Sequence, residues 1–251
     1  EIKFRNSNIC LYKNGKFVNK VSCHIVFCVF ILGECTLSSV LIKKLKEYGI
    51  SIFLLNSSLQ VYAEINAVAE GNFVLRTKQY SSSNSETLDL SKMIILNKVA
   101  NQYRLLKKTQ KNPDKNQYHD TLNQVKEAEN QASLRGVEGY YSKYYFSKVF
   151  QDYDWYRRSP RTKEDINNLL LDIGYTFLFN YTDSLLKLFG FDTYKGFYHQ
   201  LFFQRKSLSC DLMEPFRPLI DGQLVKSYNL GQIDTKDFKF QKGAFRFKDY
   251  E

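Results

Sequence analysis

The hydrophobic pattern changes its period along this chain, and the change limits the folds that the sequence can adopt. Over residues 1–79 the apolar residues form short runs between turn signals, which is typical of β-strands. From Met93 onward they recur at helical spacing. The sequence therefore predicts an α+β fold, with a small N-terminal β-rich domain over residues 1–79 followed by a larger all-α domain over 93–251. Residues 80–92, YSSSNSETLDLSK, are polar and Ser-rich, and we expect a linker there.

Local signals predict individual elements of the N-terminal domain. The dipeptide Asn14-Gly15 lies between two strand-like runs and predicts a tight hairpin turn. A helix with an N-cap at Thr36 or Ser38 is expected to end at Gly49. Residues 22–32 are rich in Val, Ile and Phe, and they predict one strand or two.

The chain is basic, with 36 Lys and Arg against 26 Asp and Glu and a formal net charge of +10. The excess is shared evenly: residues 1–79 carry 10 basic and 5 acidic side chains, and the remainder carries 26 and 21. Such a surface attracts phosphate polymers or anionic membranes. The apolar run 25–32 is too short to span a bilayer and no basic amphipathic helix stands out, which favours nucleic acid. The Cys count of 5 is odd, no CxxC pair occurs, and both facts favour a reducing compartment.

A few acidic residues and one histidine could form a metal site. His199 is followed by Asp211 and Glu214, which are three residues apart and would project from one face of a helix. Such a mixed nitrogen and oxygen set suits Mg²⁺ or Mn²⁺. Glu138 lies in the aromatic segment LRGVEGYYSKYYF, where a carboxylate is costly to bury unless it is paired or metal-bound. The alternative is a structural role for all four residues, with Arg135 as a partner for Glu138.

The segment WYRRSPR, residues 155–161, combines arginines with aromatic rings. Arginine forks bind phosphate and Trp or Tyr rings stack on bases, so the segment is a candidate DNA contact. A solvated loop without such a role is the alternative.

Four longer segments occur in a fixed order and carry a family resemblance. They are GVEGYYSKYYF, RRSPRTKEDINNLLLDIGYTFL, GFDTYKGFYH and SLSCDLMEPFRPLID. Together they resemble the CRISPR-associated adaptation integrases, the family of the universal Cas protein numbered one. The N-terminal FILGECTLSSVLIKKLKEYGISIFLLN is similar to the β-domain of that family. The resemblance covers nearly the whole chain, and it implies that the helical domain, residues 93–251, is the catalytic one.

The resemblance also implies roles for individual residues. Glu138, His199 and Glu214 match the family's metal ligands for Mg²⁺ or Mn²⁺, and Asp211 matches a further acidic position in the catalytic site. Arg217 matches the arginine of the last motif, where it would bind phosphate or brace a carboxylate. The other expected DNA-binding residues are Arg157, Arg158 and Arg161, and Asn168 is expected to orient the site.

The implied function is metal-dependent insertion of spacer DNA into a CRISPR array, as part of prokaryotic antiviral defence. A 3′-hydroxyl would attack phosphodiesters at the edges of a repeat. The implied partners are double-stranded DNA (spacer precursor and repeat with leader), a second copy in a homodimer or pair of dimers, and the small Cas protein numbered two. The strand region Ser22–Leu32 is expected at the dimer contact, and the compartment is expected to be the cytoplasm.

Two alternatives and one departure stay open at this point. A general metal-dependent DNA nuclease or a non-catalytic basic DNA-binding protein would also explain the charge. Family members usually continue with more helices beyond the last motif, whereas only about thirty residues follow Asp221 here. Whether the small partner is required is therefore left open.

Overall fold

The computed structural model describes residues 1–56, 59–69 and 71–248 and divides into two compact units. The first unit comprises Glu1–Tyr80 and Asn180–Thr193, and the second comprises Ser81–Phe179 and Tyr194–Glu251. The N-terminal region is β-rich and the region after it is helical, which confirms the predicted α+β fold class. None of the helices in the described ranges combines the length and apolarity needed to cross a bilayer.

The first unit contains two small sheets. Strands β1, β2 and β3 form an antiparallel sheet in that order, while β4, β5 and β6 form a second sheet in which β4 and β5 are parallel. Helix α1, Ser39–Glu47, connects the parallel pair, as parallel strands require a crossover. The strands are Ile2–Arg5, Asn8–Lys13, Lys16–Ser22, Cys28–Leu32, Ser51–Leu55 and Val61–Ile65.

Short-range sequence signals account for the turns of this unit. Asn14 and Gly15 both have positive φ, 52° and 74°, which is the conformation of a two-residue hairpin turn, and the predicted hairpin is confirmed. Ser38 caps α1, because its Oγ accepts a hydrogen bond from the Leu41 backbone N–H at 3.2 Å. The predicted strand region 22–32 is two elements, since β3 ends at Ser22 and a single 3₁₀ turn precedes β4.

The segment Asn180–Thr193 belongs to the first unit, although the sequence analysis placed it in the helical domain. Side chains from residues 1–80 bind this segment through a hydrogen bond to its backbone and through an ion pair with one of its side chains. Asn72 Nδ2 donates to the Phe189 carbonyl at 3.0 Å, and Lys187 Nζ lies 2.8 Å from Glu64 Oε1. These contacts join residues more than a hundred positions apart, so hydrophobic spacing gave no sign of them.

The linker predicted for residues 80–92 is wrong for most of its length. Helix α2 spans Phe73–Tyr80, and helix α3 spans Asn84–Lys108. A capping box starts α3: Ser83 Oγ accepts from the Glu86 backbone N–H, and Glu86 Oε2 accepts from the Ser83 backbone N–H at 2.8 Å. This Ser-x-x-Glu pattern outweighs the polar composition of the stretch.

The second unit is built mainly from helices. Besides α3 these are α4 Lys115–Glu127, α5 Gln131–Val149, the start of α6 Ile166–Leu188, α7 Ser207–Met213 and α8 Arg217–Asn229. The domain was predicted to be all-α, but Phe238–Gln241 (β7) and Ala244–Phe247 (β8) form an antiparallel hairpin. The alternating Phe residues of FKFQKGAFRF explain it: Phe238 and Phe247 pair across the strands with ring centroids 5.1 Å apart.

Two helices direct polar side chains into the core of this unit. On α5, Leu134, Tyr141 and Tyr145 are fully buried at helical spacing, and Glu138 falls on the same stripe. On α3, Ile94 and Gln102 are buried, and Lys98 lies midway between them. The helical period therefore carries a carboxylate and an ammonium group toward the interior.

Candidate active site

The two glutamates of the site reach it from different elements. Glu138 projects from α5, and its Oε1 accepts a hydrogen bond from Ser142 Oγ at 2.8 Å. Glu214 begins a single 3₁₀ turn, Glu214–Phe216, between α7 and α8. Pro215 favours this break because it lacks a backbone N–H. Its carbonyl accepts a hydrogen bond from Asn101 Nδ2 of α3 at 2.8 Å, which anchors the turn.

Lys98 lies between the two carboxylates. Its Nζ contacts Glu138 Oε1 and lies 2.7 Å from Glu214 Oε2, so a single ammonium group bridges both. The Lys98 and Glu214 side chains are only 7% and 5% exposed. Sequence reasoning missed Lys98, although a lysine on an apolar helical stripe is a signal, because buried lysines need an acidic partner.

The charges in this cluster stabilise one another. Arg217 NH2 lies 3.2 Å from Glu214 Oε1, and the Arg217 guanidinium stacks 4.7 Å over the Tyr175 ring. Burial by itself would raise the pKa of Glu214, but Lys98 and Arg217, with a smaller contribution from His199, lower it below the usual value. Burial would likewise lower the pKa of Lys98, and the two carboxylates raise it instead. Glu214 therefore stays ionised at neutral pH.

Asp211 fixes the position of His199. Its carboxylate is fully buried and accepts backbone N–H bonds from Phe197, Tyr198 and His199 at 2.6, 2.9 and 2.9 Å. The same carboxylate lies 2.6 Å from His199 Nδ1. In the neutral ring that donates through Nδ1, Nε2 would carry the lone pair that can bind another ligand.

A glycine makes this close packing possible. A Cβ on Gly196 would lie 2.7 Å from Asp211 Oδ2 and 2.8 Å from atoms of Ser207. Any larger residue would therefore displace either the carboxylate or the start of α7. The local sequence Lys195-Gly196-Phe197 thus lets the His199 loop approach α7 closely enough for Asp211 to bind it.

Two of the three expected metal ligands, Glu138 and Glu214, lie together in the structure. Glu138 and Glu214 share one cation, the Lys98 ammonium, and His199 lies near enough to Glu214 to affect its charge. Within the described ranges, no three His, Cys, Asp or Glu side chains form a metal-holding group. Glu138, His199 and Glu214 therefore stay a predicted ligand set.

The donors themselves fit a divalent cation. Two carboxylates already hold one cation, and the buried Glu214 Oε2 lies 2.7 Å from it. His199 has its Nδ1 anchored on a carboxylate, the arrangement that metal-binding histidines usually show. Carboxylate oxygens with one imidazole nitrogen suit Mg²⁺ or Mn²⁺.

The basic segment 155–161 divides into buried and exposed side chains. Arg158 pairs with Asp172 Oδ1 at 2.5 Å and donates to Asn168 Oδ1 at 2.6 Å, with 14% of its side chain exposed, and its expected contact with DNA stays a prediction. Arg157 and Arg161 are exposed, and Arg157 makes one long contact with Glu164 at 3.4 Å. Trp155, a candidate base-stacking residue, packs instead on two core phenylalanines.

Asn168 organises this basic segment. It is fully buried, its Oδ1 accepts from the Ser159 backbone N–H at 2.8 Å, and its Nδ2 donates to the Arg157 carbonyl at 2.9 Å. Asp165 binds the Asn168 backbone N–H at 2.7 Å. The expected orienting role of Asn168 therefore acts on the arginine loop rather than by contact with the two glutamates.

Arg217 is placed as a brace for Glu214. Of the two roles considered for it, bracing a carboxylate is the one that its 3.2 Å contact supports. The reason for this contact is the position of Arg217 one helical turn after Glu214, which directs the guanidinium back to that carboxylate. Phosphate binding by Arg217 stays a prediction.

Solved structures define the class of this fold. A casposase bound to integration product matches 98% of this chain and 75% of its own, with a TM-score of 0.81 and 20% identity. A Cas1 protein from Thermotoga maritima matches 99% of this chain and 82% of its own, with a TM-score of 0.81 and 21% identity. A Cas6-RT-Cas1–Cas2 complex matches 98% of this chain and 29% of its own, with a TM-score of 0.74 and 24% identity. The chain has the fold that Cas1 proteins and a casposase share.

Sequence comparison identifies the family. The family model described as CRISPR associated protein Cas1 matches residues 1–250, and the chain belongs to the Cas1 family. A CRISPR-associated endonuclease Cas1 of Thermodesulfovibrio yellowstonii is 29% identical over 255 residues, covering 95% of this chain and 80% of the relative. Another, from Chlorobaculum tepidum, is 28% identical over 253 residues, covering 92% and 74%. The family resemblance found in the sequence is confirmed.

Proposed function

We propose that this chain is a metal-dependent DNA endonuclease and integrase that inserts spacer DNA into a CRISPR array. The observation that carries the proposal is the pair of carboxylates of Glu138 and the buried Glu214, held on one cation near an imidazole that Asp211 anchors. The relatives named above are endonucleases, and the matching casposase was solved with an integration product, which supports the same activity.

The proposed reaction is a transesterification at the edge of a CRISPR repeat. The 3′-oxygen of the spacer fragment forms a new bond to phosphorus, and the bridging phosphorus–oxygen bond of the repeat strand breaks. A proton leaves the attacking hydroxyl, and the departing strand gains one and ends in a 3′-hydroxyl. The DNA hydroxyl is itself the nucleophile, so a covalent protein intermediate is not required.

The side chains of the site would divide the work. Glu138, His199 and Glu214 would hold Mg²⁺ or Mn²⁺, which supplies a Lewis acid that polarises phosphoryl oxygens and makes the attacking hydroxyl more acidic. Asp211 holds the His199 ring with Nε2 available. Arg217 holds the Glu214 carboxylate in its orientation. The exposed Arg157 and Arg161 would contact phosphates, which positions DNA without reading its sequence.

The first unit supports the proposal of a homodimer. Strand β3 is an edge strand, and its Phe17, Val18 and Val21 side chains are 55%, 53% and 39% exposed. Exposed apolar edges are usually covered by a partner. We place the dimer contact on this strand and the nearby Ile25, which is 80% exposed and lies within the predicted contact region Ser22–Leu32.

Further partners are proposed from the same comparisons. The matching Cas1–Cas2 complex supports the small Cas protein numbered two as a partner. Double-stranded DNA, as spacer precursor and as repeat with leader, follows from the proposed reaction and from the net charge of +10. The compartment would then be the prokaryotic cytoplasm, where the CRISPR array lies.

One experiment separates this proposal from the two alternatives. A labelled fragment with a 3′-hydroxyl is incubated with a supercoiled plasmid that carries a repeat, in Mg²⁺, Mn²⁺ or EDTA. We expect joining at repeat edges that requires the metal ion and fails with a 3′-deoxy fragment. Metal-dependent cutting at random positions would instead indicate a general nuclease, and binding without any reaction would indicate a non-catalytic DNA-binding protein.

Site variants complete the test. Glu138→Gln, His199→Ala and Glu214→Gln should each lower joining by at least about a hundredfold while DNA binding measured in EDTA is retained, because these side chains would hold the metal rather than the DNA. Glu129→Gln, at an exposed position just before α5, is the matched control and should join like the wild type.

A further inference from the structure

Lys98 lies in the site but has no part in the reaction proposed above. Its ammonium contacts Glu138 Oε1 and lies 2.7 Å from Glu214 Oε2. These two carboxylates are the ones proposed to hold Mg²⁺ or Mn²⁺. The ammonium and the metal ion therefore require the same oxygen atoms.

The charges of this cluster are balanced before a metal ion arrives. The two carboxylates face two cations, since Lys98 contacts both of them and Arg217 pairs with Glu214. The Lys98 and Glu214 side chains are almost wholly buried, so water screens their interaction little. A divalent ion would add two positive charges to this neutral cluster, which is unfavourable unless an anion enters with it. A DNA phosphate is the anion that the proposed reaction brings.

We propose that Lys98 couples metal binding to DNA binding. In the free protein its ammonium keeps the Glu138 and Glu214 carboxylates together and opposes the metal ion. When DNA binds, a phosphate oxygen accepts a hydrogen bond from the ammonium group, and the two carboxylates become available to bind the metal ion. This inference rests on the proposed function and adds a dependence that the proposed function does not require. The coupling is reciprocal, so the metal ion must strengthen DNA binding by the same factor.

Isothermal titration with Mn²⁺, with and without a short DNA duplex, tests the coupling directly. We expect DNA to tighten Mn²⁺ binding to the wild type by at least about tenfold. Lys98→Met retains an unbranched side chain without the charge. It should bind Mn²⁺ without DNA at least about tenfold more tightly than the wild type does, and DNA should add little.

A matched lysine elsewhere provides the control. Lys111 is also a buried lysine with 7% of its side chain exposed, and it pairs with Asp152 away from the two glutamates. Lys111→Met should therefore behave like the wild type in Mn²⁺ binding. Glu214→Gln should remove the Mn²⁺ binding of both backgrounds, which shows that the ion measured is the one in the site.

Thermal unfolding keeps the proposal testable when the variant is unstable. Loss of Lys98 removes the cation that the Glu138 and Glu214 carboxylates share and leaves Arg217 paired with Glu214, so the melting temperature of the metal-free variant should be lower than that of the wild type. In the absence of DNA, Mn²⁺ should raise the melting temperature of Lys98→Met by more degrees than it raises that of the wild type. The reason is that the ion replaces the missing ammonium group. A Lys98→Met protein that stays unfolded in Mn²⁺ would overturn the proposal.

The possible failures are distinguishable. One outcome is that Mn²⁺ binds the wild type through Glu214 but binds Lys98→Met with the same or a lower affinity. This outcome would overturn the coupling role of Lys98 and leave the proposed metal site intact. Absence of Mn²⁺ binding to both proteins, even with DNA present, would overturn the proposed metal site together with this inference.

Discussion

Asp221 is a buried carboxyl that should make the stability of this protein fall as pH rises. It is 1% exposed, and it accepts hydrogen bonds from the Tyr145 hydroxyl at 2.6 Å and the Tyr175 hydroxyl at 2.5 Å. Burial raises the pKa of Asp221 from 3.8 to about 6, although the two tyrosines, Arg217 and Arg158 act in the opposite direction. The folded protein therefore favours the protonated form of Asp221 more than the unfolded chain does.

The sign and size of the effect follow from the two pKa values. The folded protein keeps the Asp221 proton to a higher pH than the unfolded chain does, so the stabilisation is complete below about pH 4 and is lost as pH rises through about 6. A shift of about two units corresponds to about 3 kcal/mol. Asp221→Asn removes this ionisation. The stability of the wild type relative to the variant should therefore fall by about 2 kcal/mol between about pH 4 and pH 7, most of the full effect.

Urea unfolding at several pH values measures this difference. Trp155 is the only tryptophan of the chain and packs 4.9 Å from the Phe150 ring, so its fluorescence reports the loss of the helical core. Asp89→Asn, at an exposed position on α3, serves as the control and should show no such trend. A wild-type advantage over Asp221→Asn that stays constant or grows with pH would refute the reasoning.

The site and the basic segment supply the other predictions. Gly196→Ala should lower strand joining by at least about tenfold, since the added methyl group would displace Asp211, whereas Gly139→Ala, with nothing within 4 Å of its Cβ, should not. Assays of joining at equal protein concentration check both. Arg161→Ala should weaken DNA binding and lower the slope of log affinity against log salt by about one, as measured by fluorescence anisotropy. Arg158→Ala should instead lower the free energy of unfolding by about 3 kcal/mol, because it leaves the mostly buried Asp172 carboxylate without its cation.

The parts of the fold that local signals predict are those whose cause is local. The turn at Asn14-Gly15 and the cap at Ser38 depend on a few neighbouring residues, and both were found from the sequence. The stretch 80–92 was predicted wrongly because its composition was weighed before its capping box, Ser83 with Glu86, which was also visible.

The site was less accessible to sequence reasoning because its contacts are long-range. The helical period places Glu138 and Lys98 on buried stripes, but their pairing joins residues 40 positions apart and depends on how α3 packs against α5. The pairing of Arg158 with Asp172 was hidden for a similar reason, since Asp172 reaches it only when the loop folds back on α6. A basic residue type in a polar segment does not reveal whether its charge is already neutralised.

A crystal of the protein with a DNA duplex and Mn²⁺ tests the central claim most directly, through the anomalous scattering of the ion. We predict one strong peak at coordination distance from the carboxylates of Glu138 and Glu214 and from His199 Nε2, with the Lys98 ammonium moved onto a phosphate. A peak elsewhere, with Lys98 still bridging the two glutamates beside a bound DNA strand, would contradict the account.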